Sequence, residues 1–178
     1  MDAEGLVLGV LQAVPGNVVR GRKRLQKLAY FAIKTGAAAE GVKYSIRDFG
    51  PFSLQVANAA SFLSFVGELE ERDEPIGRSQ KFVKVYSLAN LGSTAPNLPD
   101  STQVALKKLS EYSSIELEIA STISFFISQG MTNDQAIKAT RELKPAKSAE
   151  QIVQRAEEAL AEVELNDEGR RARPLPYP

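Results

Sequence analysis

Cysteine and histidine are both absent from this 178-residue chain. Their absence removes thiol nucleophiles, disulfides, imidazole bases, the Ser–His–Asp triad and ordinary zinc sites in one step. Long apolar runs are missing too: none approaches the ~20 residues that a membrane helix needs. Asp2 and Glu4 stand where a secretory leader would carry positive charge. No Gly-Lys-Ser/Thr sequence occurs, and Gly5, Gly9 and Gly16 do not make a phosphate loop. Carboxylate neighbours such as Glu70-Glu71 and Glu157-Glu158 point apart on either a strand or a helix, with no nucleophile beside them. These absences predict a cytoplasmic, non-enzymatic protein with no cofactor, no metal and no membrane attachment.

Acid is missing locally rather than globally. The formal net charge is 0, from 22 basic and 22 acidic residues, which does not indicate a strongly basic nucleic-acid or membrane binder. Yet between Gly5 and Ala39 there is no acid, while Arg20, Arg22, Lys23, Arg24, Lys27 and Lys34 all fall there. Residues 100–164 lean the other way, with seven basic residues against eleven acids. The asymmetry predicts two segments with different surfaces. An apolar fraction of 43% and a charged fraction of 25% are globular values, sufficient for a packed core.

Periodicity and punctuation then give the elements. A short apolar helix over 4–13 is stopped by Pro15-Gly16-Asn17. A basic amphipathic helix follows over 19–34, closed by Gly36. On a helical wheel Leu25, Leu28, Ala29 and Ala32 share one face and the cations the opposite one, with Phe31 in the middle of the basic face. Residues 42–49 read as a short strand. Gly50-Pro51 reads as a sharp turn opening a helix over 52–66, since proline is tolerated in a first turn. Strands over 68–73 and 81–88 flank a loop, as the arms and tip of a wing would, and their opposite charges are expected to pair across the hairpin. After a linker at 91–99 come helices over 102–112, 114–129, 133–143 and 149–163. Ser113/Glu116, Thr132/Gln135 and Ser148/Gln151 have capping-box spacing at the last three. The expected fold is mainly α with a small β-hairpin: a winged-helix-like region at 1–90 packed on a helical subdomain at 100–164. The tail at 165–178 is expected to be mobile.

Two functional readings follow. In the first, double-stranded DNA is gripped mainly by its backbone, through Arg20, Arg22, Lys23, Arg24 and Lys27, with help from Gln55, Asn58, Arg78 and Lys81. Against it, the helix after Gly50-Pro51 carries no Arg or Lys, and the basic face could simply be solvated, with Phe31 packed under the C-terminal helices. In the second, the chain is a protein-interaction adaptor or antitoxin-like module, meeting a protein partner or a second copy through Phe31, Leu54, Phe62 and Phe65.

Two blocks carry a family resemblance. Arg22/Arg24 with Leu25-Gln26-Lys27-Leu28 and Tyr30-Phe31, followed by Gly50-Pro51-Phe52-Ser53, is similar to the pattern of the YwgA-like prokaryotic proteins. More distantly the chain resembles the Panacea (SocA-like antitoxin) domain. Leu117-Glu-Ile-Ala-Ser-Thr-Ile123 and Leu143-Lys-Pro145 look like the helical part that follows the wing in such proteins. The resemblance implies a winged-helix-like fold and a regulatory or defence setting, with no catalytic residues.

Overall fold

The computed structural model describes residues 1–77, 80–89 and 96–171, with side chains as far as 164. Arg78, most of the expected linker and the proline-rich end lie outside the described residues. Helix α1 (Ala3–Ala13) is held at its start by Asp2, whose carboxylate accepts from Gly5 N at 2.8 Å. It is apolar all round and lies at the centre of the molecule, with Leu6, Val7, Val10 and Leu11 fully buried. Gly9 permits this burial: a Cβ there would stand 3.0 Å from the Leu98 side chain.

Strand β1 (Val18–Arg20) and helix α2 (Arg22–Lys34) occupy the stretch expected to be one helix. Val18 and Val19 are β-branched, and Gly21, at φ 109°, turns the chain between strand and helix. Arg20 therefore sits on a strand and not on the basic helix face. A second difference lies at Gly50-Pro51. Instead of opening a helix, it forms strand β3 (Gly50–Phe52), paired antiparallel with β2 (Ser45–Arg47) around the turn Asp48-Phe49. Proline disfavours helical backbone in the residue before it, and its lost N–H is harmless on a two-stranded edge. Helix α3 (Leu54–Phe65) starts two residues later than expected, capped by the Ser53 hydroxyl, which accepts from Val56 N at 3.4 Å. Helices α2 and α3 are thus joined through a small hairpin rather than a tight turn.

Strands β4 (Leu69–Pro75) and β5 (Phe82–Leu88) form the wing, and β1 adds to it in the order β1-β5-β4, all antiparallel. The expected charge pairing is present: Lys84 Nζ lies 2.8 Å from Glu71 and 3.1 Å from Asp73. Four helices follow, α4 (Asp100–Leu109), α5 (Ser114–Ser128), α6 (Asn133–Leu143) and α7 (Glu150–Arg171). Both capping boxes form at α5 and α6. At the third, the helix begins at Glu150 rather than Ala149, and the Ser148 hydroxyl donates to Lys144 O at 2.7 Å. Helix α7 also continues past the expected end at 163 into the stretch expected to be mobile. The architecture is mainly α with a winged-helix-like N-terminal region packed on the C-terminal helices, and one apolar core runs from Leu6 through Phe31 to Val163. No helix among the described residues is long and apolar enough to cross a membrane.

Candidate functional site

The two sequence blocks lock onto each other. The Gln26 side-chain amide pairs with the Ser53 backbone as a neighbouring strand would: Nε2 donates to Ser53 O and Oε1 accepts from Ser53 N, both at 2.9 Å. One residue on, Lys27 Nζ donates to Pro51 O at 2.6 Å. Gly50 is required here, because at φ 82° a Cβ would stand 2.6 Å from Thr122 Oγ1 on α5. Leu-Gln-Lys and Gly-Pro-Phe-Ser are two halves of one joint between α2, β3 and α3.

A buried charge cluster closes the joint from behind. Glu118, in the middle of α5, meets Lys144 Nζ at 2.9 Å and Lys147 Nζ at 2.9 Å. Lys144 also donates to Asp48 O at 2.7 Å, so the end of α6 holds the β2–β3 turn. Burial pushes the Glu118 carboxyl up, but the hydrogen bonds and charges of Lys144 and Lys147 together outweigh it and hold the group below its ordinary value. For Lys27 burial is the largest influence; with Lys144, Lys23 and Lys147 it overcomes the pull of Glu118 and brings the ammonium down to about 7.

In front of the joint lies a cleft of about 580 Å³ between α2, α3, the β2–β3 hairpin and β5. Its apolar wall includes Leu25, Val56 and Ala60, and its aromatic residues are Phe49, Phe52 and Tyr86. Arg22, Lys23, Lys27 and Arg47 supply positive charge, against Asp48 as the acid of the lining. Lys23 Nζ lies 3.1 Å from the Phe49 ring centre, with Lys147 Nζ at 4.9 Å from the same ring, and the Arg47 guanidinium lies 4.7 Å from the centre of Phe52.

The cations expected to grip phosphates are thus largely used inside the molecule. Arg20 is ion-paired with Glu74. Arg22, although exposed, stands against Tyr86 and 3.8 Å from Glu71. Arg24 faces inward and donates to Ser110 O and Tyr112 O, each at 2.6 Å, tying down the end of α4. Lys27 is 2% exposed. Arg24 and Lys27 thus direct hydrogen bonds at backbone carbonyls of this chain rather than pointing into open solvent. Lys23 keeps an exposed position. Lys81 is exposed at the base of the wing tip, where its carbonyl accepts from Ile76 N at 2.9 Å.

Phe31 is also corrected as an interface residue. It is completely buried in the core. The wheel puts it among cations, but α4, α5 and α7 pack over α2, so that face is interior. The three other apolar candidates do reach solvent: Leu54 is 56%, Phe62 54% and Phe65 89% exposed. They run along the side of α3 opposite Val56, Ala59, Ala60 and Leu63, which are buried. Gln55 and Asn58 are exposed on the same helix. No residue from Leu54 to Phe65 carries a charge.

Sequence reasoning missed Glu118, Lys144, Lys147, Arg47 and the Asp48-Phe49 turn as site components. One signal was present: Glu118 stands alone in the apolar run Leu117-Glu-Ile-Ala120, where a carboxylate needs a partner. Nothing local announces that the partners are Lys144 and Lys147. In comparisons with known proteins, no protein family and no curated protein matches the chain.

Proposed function

We propose that the chain is a non-enzymatic, cytoplasmic protein-interaction module whose contact surface is the outer face of α3. The observation that carries this reading is the contrast on that helix: four apolar residues fill the core, while Leu54, Phe62 and Phe65 remain in solvent with no charge between them. Exposed aromatic and aliphatic side chains on one helix face are what a partner desolvates. The rim favours one kind of occupant. Beyond the C-terminus of α3, Glu68 and Glu70 are exposed, and the helix end itself carries partial negative charge. The partner is therefore an amphipathic segment, apolar along one face and basic at the end that meets those carboxylates. Regulatory or antitoxin-like action through such a contact agrees with the family resemblance of the two sequence blocks.

A second reading, a grip on nucleic-acid backbone, draws support from the exposed cations Lys23 and Arg47 beside the hairpin. One set of experiments separates the two. A photoreactive residue replacing Phe62 captures the partner in the cells of origin; the purified partner is then titrated against the chain. Binding should weaken about a hundredfold for Phe65→Glu and stay unchanged for Lys23→Glu. Cross-links between copies alone would make α3 a dimer face. Binding of a DNA duplex at low salt that is lost with Lys23→Glu and Arg47→Glu, but kept with Phe65→Glu, would overturn the proposal in favour of the backbone grip.

A further inference from the structure

Beyond the α3 face, we infer that the cleft between α2, α3 and the β2–β3 hairpin is a binding site for a small organic anion, an acidic head on a flat apolar body. The cleft joins two features that a solvated groove would not need. Its volume of about 580 Å³ suits a small organic ligand, and one wall is the apolar surface of Leu25, Val56 and Ala60. The lining also carries Arg22, Lys23, Lys27 and Arg47 against the carboxylate of Asp48.

The surplus can be stated group by group. Lys27 lines the cleft, is 2% exposed, and has Pro51 O as its hydrogen-bond acceptor among the described residues. An ammonium has three donors, so two remain for another acceptor. Lys23 from α2, Glu118 from α5, and Lys144 and Lys147 from the segment after α6 act on its charge, while Arg22 from α2 and Arg47 and Asp48 from the hairpin share the lining. Glu118 is already shared by Lys144 and Lys147. Asp48 is exposed, and its backbone carbonyl serves Lys144. Lys27 is the buried cation of this lining, whereas Lys23 and Arg47 are exposed; a bound anion supplies the partner that favours its charged form. Phe49 and Phe52, each already facing a cation, give a flat ligand two rings to lie against. Ala57 on α3 lines the cleft and is partly exposed, so a larger side chain there would take up cleft volume.

Calorimetric titration of the full chain tests this with 1-naphthalenesulfonate, whose charge is fixed across the useful pH range. Sulfate alone and 1-naphthalenemethanol serve as the two halves of the probe. The whole probe should bind at least about tenfold more tightly than either half. Ala57→Trp and Lys27→Met should each weaken it by about tenfold or more, while Lys138→Gln on the far helix α6 leaves it unchanged. Affinity should fall between about pH 6 and pH 8 in the natural chain, as the Lys27 ammonium loses its proton near 7, and not in Lys27→Met. If Lys27→Met does not fold, Ala57→Trp and Arg47→Gln decide. Equal binding of sulfate and the naphthalene probe, binding indifferent to Ala57→Trp, or no binding at all would overturn the inference.

Discussion

Helices α2 and α3 are neighbours of similar length that treat their side chains in opposite ways. Helix α2 carries five cations, Arg22, Lys23, Arg24, Lys27 and Lys34, yet Arg24 and Lys27 turn theirs to carbonyls inside the molecule. Helix α3 carries no charge and leaves Leu54, Phe62 and Phe65 in water. A basic stripe in a sequence is therefore not yet a basic surface, and an apolar residue is not yet a core residue. The difference arises from what covers each helix. The C-terminal helices lie over the outer side of α2, so its polar groups had to find buried acceptors. Nothing among the described residues covers the outer side of α3.

The contrast breaks most severely at the carboxylate behind α2. Glu118→Gln leaves Lys144 and Lys147 without their shared anion in a buried place, and should cost about 3–5 kcal/mol in urea unfolding. The natural contribution of Glu118 is present above about pH 4.5, its ordinary value, and is lost as pH falls through its lowered folded value.

Lys27 should give a smaller effect of the same pH sense, in a higher pH window. Its folded value of about 7 lies below its ordinary 10.5, so between these the unfolded chain binds more protons than the folded one. Stability from this group therefore rises with pH across that window. Lys27→Met should gain on the natural protein by about 2 kcal/mol near pH 6, where the charge cost is fully present, and lose that advantage near pH 10, where the unpaired Pro51 carbonyl remains. Chemical denaturation at a series of pH values reads both limbs; a flat difference would mean that Lys27 is not desolvated.

Arg24→Leu removes two charge-assisted hydrogen bonds to the end of α4 and should lower stability by about 1–3 kcal/mol, with faster amide exchange around Ser110 to Tyr112. The smallest effect belongs to α3. Phe65→Ser, at a position 89% exposed, should change unfolding free energy by less than about 0.5 kcal/mol. A large loss there would show that the face is structural and not held open for a partner.

Much of the fold was legible because local rules act on local sequence. The capping boxes at Ser113/Glu116 and Thr132/Gln135 put α5 and α6 within a residue of their expected bounds. The wing strands followed from alternation and from opposite charges that pair at Lys84. Strand β1 was hidden because three residues of strand take their meaning from β5, far along the chain. The Gly50-Pro51 turn was misread because proline fits a first helical turn and an edge strand equally well; the pairing with Ile46 and Arg47 selects the strand. On the site, Leu54, Phe62 and Phe65 were legible as apolar surplus on α3, while Phe31 was not separable from them by a wheel that knows only one helix.

By itself the sequence determined the helices, the wing, the absence of thiol and imidazole chemistry, and the two blocks that matter most. Tertiary structure alone decided what those blocks do. Gln26 and Lys27 meet Ser53 and Pro51 across a distance in sequence that no periodicity encodes, and the Glu118 cluster draws on α5 and the end of α6. Hydrogen bonds to backbone carbonyls leave no trace in composition, because every residue has a carbonyl. Whether a cation points at solvent or at a carbonyl depends on which helix lies over it, and that choice is made only when the chain packs.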